Sequence, residues 1–308
     1  VTIRLDDRIE PRPTPPTPSR SSAKAALAAG VTVVLWASAF VAIRGIGHEL
    51  SPAPMALVRL AVAATTLTVV MLVVHRGRPR VAVPRRSAGL LVAYGVLWLA
   101  GYTVALNAAE RHVDAGTAAL LVNVAPLLIA FGAGMFLGEG YPRPLILGSV
   151  VALTGVAVIA LGSDGERDSL GVLLCLLAAL LYAAGVLIQK VILRRVDVLT
   201  TTWLGCVVGT AALLPWAPQL LGEIQAASAG SVLAAVYLGL FPTAIGFTTW
   251  AYALRRMDAG RLSATTYAVP AVSVALSWVL LSEVPTAYSM AGGTICLVGV
   301  AISRYRRR

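Results

Sequence analysis

Few side chains in this sequence could do chemistry, and most of them fall at matching places. Trp36 and Tyr182 occupy equivalent positions in two similar stretches. So do Asn123 and Tyr267, each three residues before a proline, Pro126 or Pro270. An indole or phenol offers an apolar face and one polar tip. An amide both donates and accepts. Two such pairs suit a small amphipathic or zwitterionic ligand. The same groups also serve as hydrogen bonds between helices in a bilayer, worth about 0.6 kcal/mol on average. Tyr102, Asn107 and Trp250 are further candidates of this kind.

Arg59 follows Pro54 by five residues, about 7.5 Å along a helix rising 1.5 Å per residue. A guanidinium deep in hydrocarbon costs ~2.5–3.5 kcal/mol or more. No Asp or Glu lies within an apolar stretch to pair with it. It therefore either meets the carboxylate of a ligand or snorkels to the outer surface. Arg44 snorkels more easily still. Pro126 and Pro270 free the carbonyls of Val122 and Thr266. In a membrane those carbonyls need another partner or a cavity to face, so each proline is either a hinge or a tolerated kink. Glu139 and Glu283 each stand just before a new helix, with Pro142 and Pro285 close behind. A carboxylate there can accept orphan N–H groups at the positive helix end; the alternative role is proton coupling.

Other chemistries lack their residues. Cys175, Cys206 and Cys296 are isolated in apolar stretches, and His48, His75 and His112 lie at segment ends. No metal, haem or other cofactor is expected. There is no HExxH, no GxSxG and no aspartate pair within an apolar span, which argues against a membrane-embedded enzyme. A sensor or scaffold would need a signalling domain, and none is visible.

The elements that carry these residues must be membrane helices. The chain is 58% hydrophobic and 13% charged, with a mean hydropathy of +0.81. Long apolar runs without period-2 alternation choose helices over a barrel. Ten spans are predicted, at 25–46, 53–75, 87–108, 115–137, 144–162, 169–192, 199–217, 231–254, 261–282 and 285–303. The Pro- and Ser-rich residues 1–24 read as a disordered tail, and 304–308 as a basic one. A net charge of +11 invites a nucleic-acid reading. The basic residues instead sit between apolar segments, as topology places them, so no nucleic acid is expected. With the N-terminus cytoplasmic, all 25 Lys and Arg except Arg44, Arg59, Arg111 and Arg167 fall on the cytoplasmic side. Both termini are thus expected inside a plasma (inner) membrane.

The chain also repeats itself. RHVDAG at 111–116 returns as RRMDAG at 255–260, and in the same register Gly95, Pro126, Glu139, Gly148 and Gly155 return as Gly239, Pro270, Glu283, Gly292 and Gly299. Five spans per half is an odd number, so the halves must be inverted, with a site between them near the midplane. The first half is 25–162 and the second 169–303.

These features resemble the EamA-type halves of the drug/metabolite transporter superfamily. The resemblance rests on Trp36-Ala-Ser-Ala-Phe40, on Pro54 with Arg59, and on Pro126 and Pro270 trailed by Glu139 and Glu283. The glycine pairs complete each half. It implies ten helices in two inverted repeats, and movement or export of small metabolites, amino acids or drugs. The small multidrug-resistance branch exchanges protons through a glutamate in its first helix; here that stretch reads VLWASAFVA. A facilitator, or a carrier coupled by another route, is the expectation. Its partners would be a small-molecule substrate and the lipid bilayer, with the chain a monomer or homodimer.

Overall fold

A computed structural model of the chain describes residues 20–76, 83–136, 143–161 and 166–303. Of the tail expected at 1–24, residues 1–19 lie outside the described residues, as do 304–308 and Glu139 with Pro142, while residues 20–24 are not tail but the first turn of a helix. Ten helices follow in order: α1 (Arg20–Ile46), α2 (Pro52–Val74), α3 (Arg85–Ala109), α4 (Ala115–Phe136), α5 (Arg143–Leu161), α6 (Glu166–Ile192), α7 (Val198–Ala226), α8 (Ala229–Arg256), α9 (259–281) and α10 (Ala287–Ser303). Seven of them are long and apolar enough to cross a membrane unaided, and α5, α9 and α10 contain shorter apolar helices. No strand occurs among the described residues.

The repeat is visible in the backbone. Both α3 and α8 switch to π-helix, over Gly95–Tyr102 and Gly239–Ile245. A matched glycine opens each stretch, and in α8 Pro242 inside it also withholds the N–H that the Leu238 carbonyl would accept. A Cβ on Gly95 would stand 2.7 Å from Val208 of α7, and one on Gly239 would stand 2.6 Å from Val62 of α2. The third helix of each half thus packs closely on the second helix of the other. α4 breaks at Asn123 and Val124, just before Pro126. α9 tightens into a 3-10 turn over Ala264–Tyr267, just before Pro270. The missing proline N–H accounts for both breaks. The expected glycine packing is found between α5 and α10, where a Cβ on Gly155 would meet the carbonyl of Gly292 at 2.5 Å.

Charged side chains close the two ends of the bundle in equivalent ways. Arg44 donates from Nη1 to the Glu110 carbonyl at 2.7 Å, at the C-terminus of α3. Lys190 donates to the carbonyls of Leu254 and Met257 at 2.7 and 2.6 Å, at the C-terminus of α8. A cation there meets the negative end of the helix. Arg44 also pairs with Glu283 at 2.9 Å. Two expectations are corrected by this contact. Arg44 does not simply snorkel, and the Glu283 carboxylate turns to α1 rather than to the start of α10, where Thr286 accepts from the Ser289 amide instead.

Candidate functional site

A cavity lies at the centre of the helices, walled by side chains from both halves. α1 contributes Trp36 and Phe40, α2 Arg59, and α3 Trp98, Tyr102 and Leu106. α4 contributes Ala119 and Asn123, α6 Tyr182, α8 Phe247, and α9 Thr266 and Val269. It leaves about 30 Å³ for the centres of water-sized molecules, room for roughly two or three waters.

Aromatic rings form most of the wall. Trp36 lies 4.9 Å from Trp250, 5.4 Å from Phe247 and 5.7 Å from Tyr182 between centroids. Trp98 stacks on Tyr182 at 5.3 Å. It can do so because Gly185 leaves no side chain beneath it; a Cβ there would collide with the indole. Each of these rings is at least half-buried, and Trp98 and Trp250 are fully enclosed.

The polar tips are the informative part. Trp36 Nε1, Trp250 Nε1, Asn123 Nδ2 and Arg59 Nη1 are all buried with no hydrogen-bond partner among the described residues. All four can only donate. Unmade buried hydrogen bonds cost about 1–3 kcal/mol each, more for a charged group, so the wall favours a ligand that accepts.

Arg59 is 3% exposed, which corrects the snorkelling alternative. Its Nε donates to the Thr243 hydroxyl at 2.6 Å, and that hydroxyl donates in turn to the Leu238 carbonyl, five residues back and just before the π-helical stretch of α8. The distortion of α8 therefore aims the one side chain that anchors Arg59.

Of the sequence candidates, Trp36, Arg59, Tyr102, Asn123 and Tyr182 line the cavity, and Trp250 backs it. Asn107 is spent on the Pro52 carbonyl, donating at 2.9 Å, though its Oδ1 has no partner. Tyr267 packs instead beside Leu127 and Ala152. Thr266, in the same 3-10 turn, lines the cavity in its place. Trp98, Phe247 and Thr243 were not singled out from the sequence. Their matched glycines, Gly95 and Gly239, were the available signal.

The sequence profile of the EamA-like transporter family matches residues 23–161 and again 169–305. The chain belongs to the EamA-like transporter family. It is a multi-pass membrane protein, a transporter of small solutes. A protein of Streptantibioticus cattleyicolor named as a probable terminal-alkyne amino-acid exporter is 35% identical, over 92% of this chain and 94% of its own. One of Salmonella typhimurium named as a probable amino-acid metabolite efflux pump is 28% identical, over 89% and 92%. A crystal structure with 20% identity superposes with a TM-score of 0.68, covering 93% of this chain and 99% of the other. It is similar to this chain in fold.

Proposed function

We propose that this family member exports a small carboxylate-bearing solute, an amino acid or close derivative, by alternating access around the central cavity. The observation that carries the substrate class is Arg59: a buried guanidinium with one neutral hydroxyl partner, unpaired at Nη1, facing a cavity whose other free polar groups also donate. A carboxylate matches a guanidinium in shape and charge. The ring wall then takes an apolar side chain. Efflux and the amino-acid class also accord with the names of the relatives in Streptantibioticus and Salmonella. The orientation follows from the basic residues, with both termini cytoplasmic in the plasma membrane and the Arg44 end outside. Nothing in this reading requires catalysis.

Counterflow in proteoliposomes tests it. A panel of apolar amino acids and the corresponding amines lacking the carboxylate would compete for exchange of a labelled amino acid. The acids should compete and the amines should not. Arg59→Gln should raise the half-saturating concentration about 10–100-fold, the range of a hydrogen bond to a charged group. Equal competition by acids and amines would overturn the carboxylate assignment.

A further inference from the structure

The two halves agree where the fold is built and differ at the two buried charges among the described residues. Arg59 stands where the second half has Gly205, and Glu110 where it has Leu254. Leu254 is fully buried, as an apolar residue should be. Glu110 is only 2% exposed, yet neither Oε1 nor Oε2 has a hydrogen-bond partner among the described residues. Its backbone carbonyl is held by Arg44, but Arg44 spends Nε on Glu283. Glu110 continues the face of α3 that bears Tyr102 and Leu106, four residues apart each time, so it sits one turn beyond the cavity wall at the Arg44 end.

We propose that Glu110 is a proton-binding site: closing the Arg44 end takes up a proton on its carboxylate, and opening that end releases it. An ionised carboxylate without hydrogen bonds is strongly disfavoured in a buried position. A protonated one is tolerated there. When the end opens, water reaches the group and the charged form returns. Burial pushes the Glu110 carboxyl well above its usual range, against the pull of Arg44 and Arg59; Asp114 and Glu283 push it further up. The charged and titratable groups facing it are Arg44 on α1, Arg59 on α2, Asp114 at the start of α4 and Glu283 after α9, with Tyr102 on its own helix and Cys175 on α6. Asp114 is committed to capping α4 through the Thr117 amide, and Glu283 is paired with Arg44. Glu110 is left as the carboxylate with no such commitment. An acid whose pKa is raised in the closed form favours closure below its open-state pKa. That preference is lost as pH rises through its closed-state pKa.

The inference rests on the alternating-access reading and on the Arg44 end facing outward, not on the identity of the substrate. Ala119 lines the cavity one turn inside α4, and Ala119→Cys in a background lacking the three native cysteines gives the probe. Intact cells are exposed to a membrane-impermeant methanethiosulfonate at external pH values from acid to alkaline. The labelling rate is divided by that of the same protein carrying Glu110→Gln, which cancels the titration of the thiol. The ratio should rise with pH by up to about tenfold per unit between the two pKa values. Glu110→Leu, the residue of the second half, should behave as Glu110→Gln and serves if the amide variant does not fold. Glu283→Gln should raise labelling at every pH but keep the slope. A ratio that is flat with pH, in cells where a reporter fused after Arg308 is cytoplasmic, overturns the proposal alone. Labelling in no variant at any pH overturns it together with the alternating-access or orientation reading.

Discussion

At the scale of single residues, the site is decided by what each polar atom touches. Arg59 reaches the cavity because Thr243 holds its Nε. Thr243→Val keeps the volume and removes that hydroxyl. It should weaken substrate binding about tenfold while leaving expression intact, read as the half-saturating concentration in counterflow. Arg59→Lys keeps the charge but not the planar fork, and should lose most of the affinity as well. Glu49 makes a different argument. Its carboxylate accepts from the Ser228 amide at 2.6 Å and hydroxyl at 3.0 Å, tying the α1–α2 loop to the start of α8. The Ser228 amide holds its pKa below the ordinary value of 4.5. A lowered carboxylate stabilises above its unfolded pKa and stops doing so as pH falls through the folded one. Glu49→Gln should therefore lower the melting temperature slightly at pH 7, by about 1 °C, and have no effect in strong acid.

At the scale of elements, the apolar runs announced all ten helices, because a span in hydrocarbon must be long, apolar and internally bonded. Pro126 and Pro270 announced the breaks in α4 and α9 for the same reason. The π-helical stretches of α3 and α8 were not legible. A π-turn has no composition of its own; the glycines that open both stretches mark close approach to helices of the other half, and only the α8 stretch carries a proline, Pro242. Glu283 misled for a similar reason. Its spacing from Pro285 suited a helix cap, but its partner is Arg44, 239 residues away in sequence. Tyr267 was placed by symmetry with Asn123, and the 3-10 turn broke that symmetry. If the two glycines set the helix approach, Gly95→Ala and Gly239→Ala should each separate α3 from α7 or α8 from α2. The expected result is a loss of about 1–3 kcal/mol from overpacking, seen as lower thermal stability of the purified protein. Gly30→Ala, where nothing lies within 4 Å, should be neutral or slightly stabilising.

At the scale of the whole molecule, a duplicated fold does different chemistry at its two ends. The helix breaks, the π-turns and the cations on the helix C-termini recur in both halves, so they belong to the architecture and to its rocking. Arg59 and Glu110 have no such counterparts, and both belong to the first half. On the proposed function, one half carries the charges that a substrate or a proton would use, and the other supplies Thr243 and the rings of Tyr182, Phe247 and Trp250. Neither half is a site alone. Inversion then decides which side of the membrane Glu110 senses. Arg76, Arg85, Arg86, Arg255 and Arg256 stand at the end of the bundle that Lys190 shares, and positive residues are retained in the cytoplasm. The Arg44 end, with Glu49, Glu110 and Glu283, should therefore face outward. Reporter fusions after Arg308 and within residues 163–168 should fall on opposite sides, the first cytoplasmic. If both report the same side, the odd count of spans per half fails and the halves cannot be inverted. If the sides are merely exchanged, Glu110 would read the cytoplasmic pH instead, and external pH would leave the labelling of Ala119→Cys unchanged.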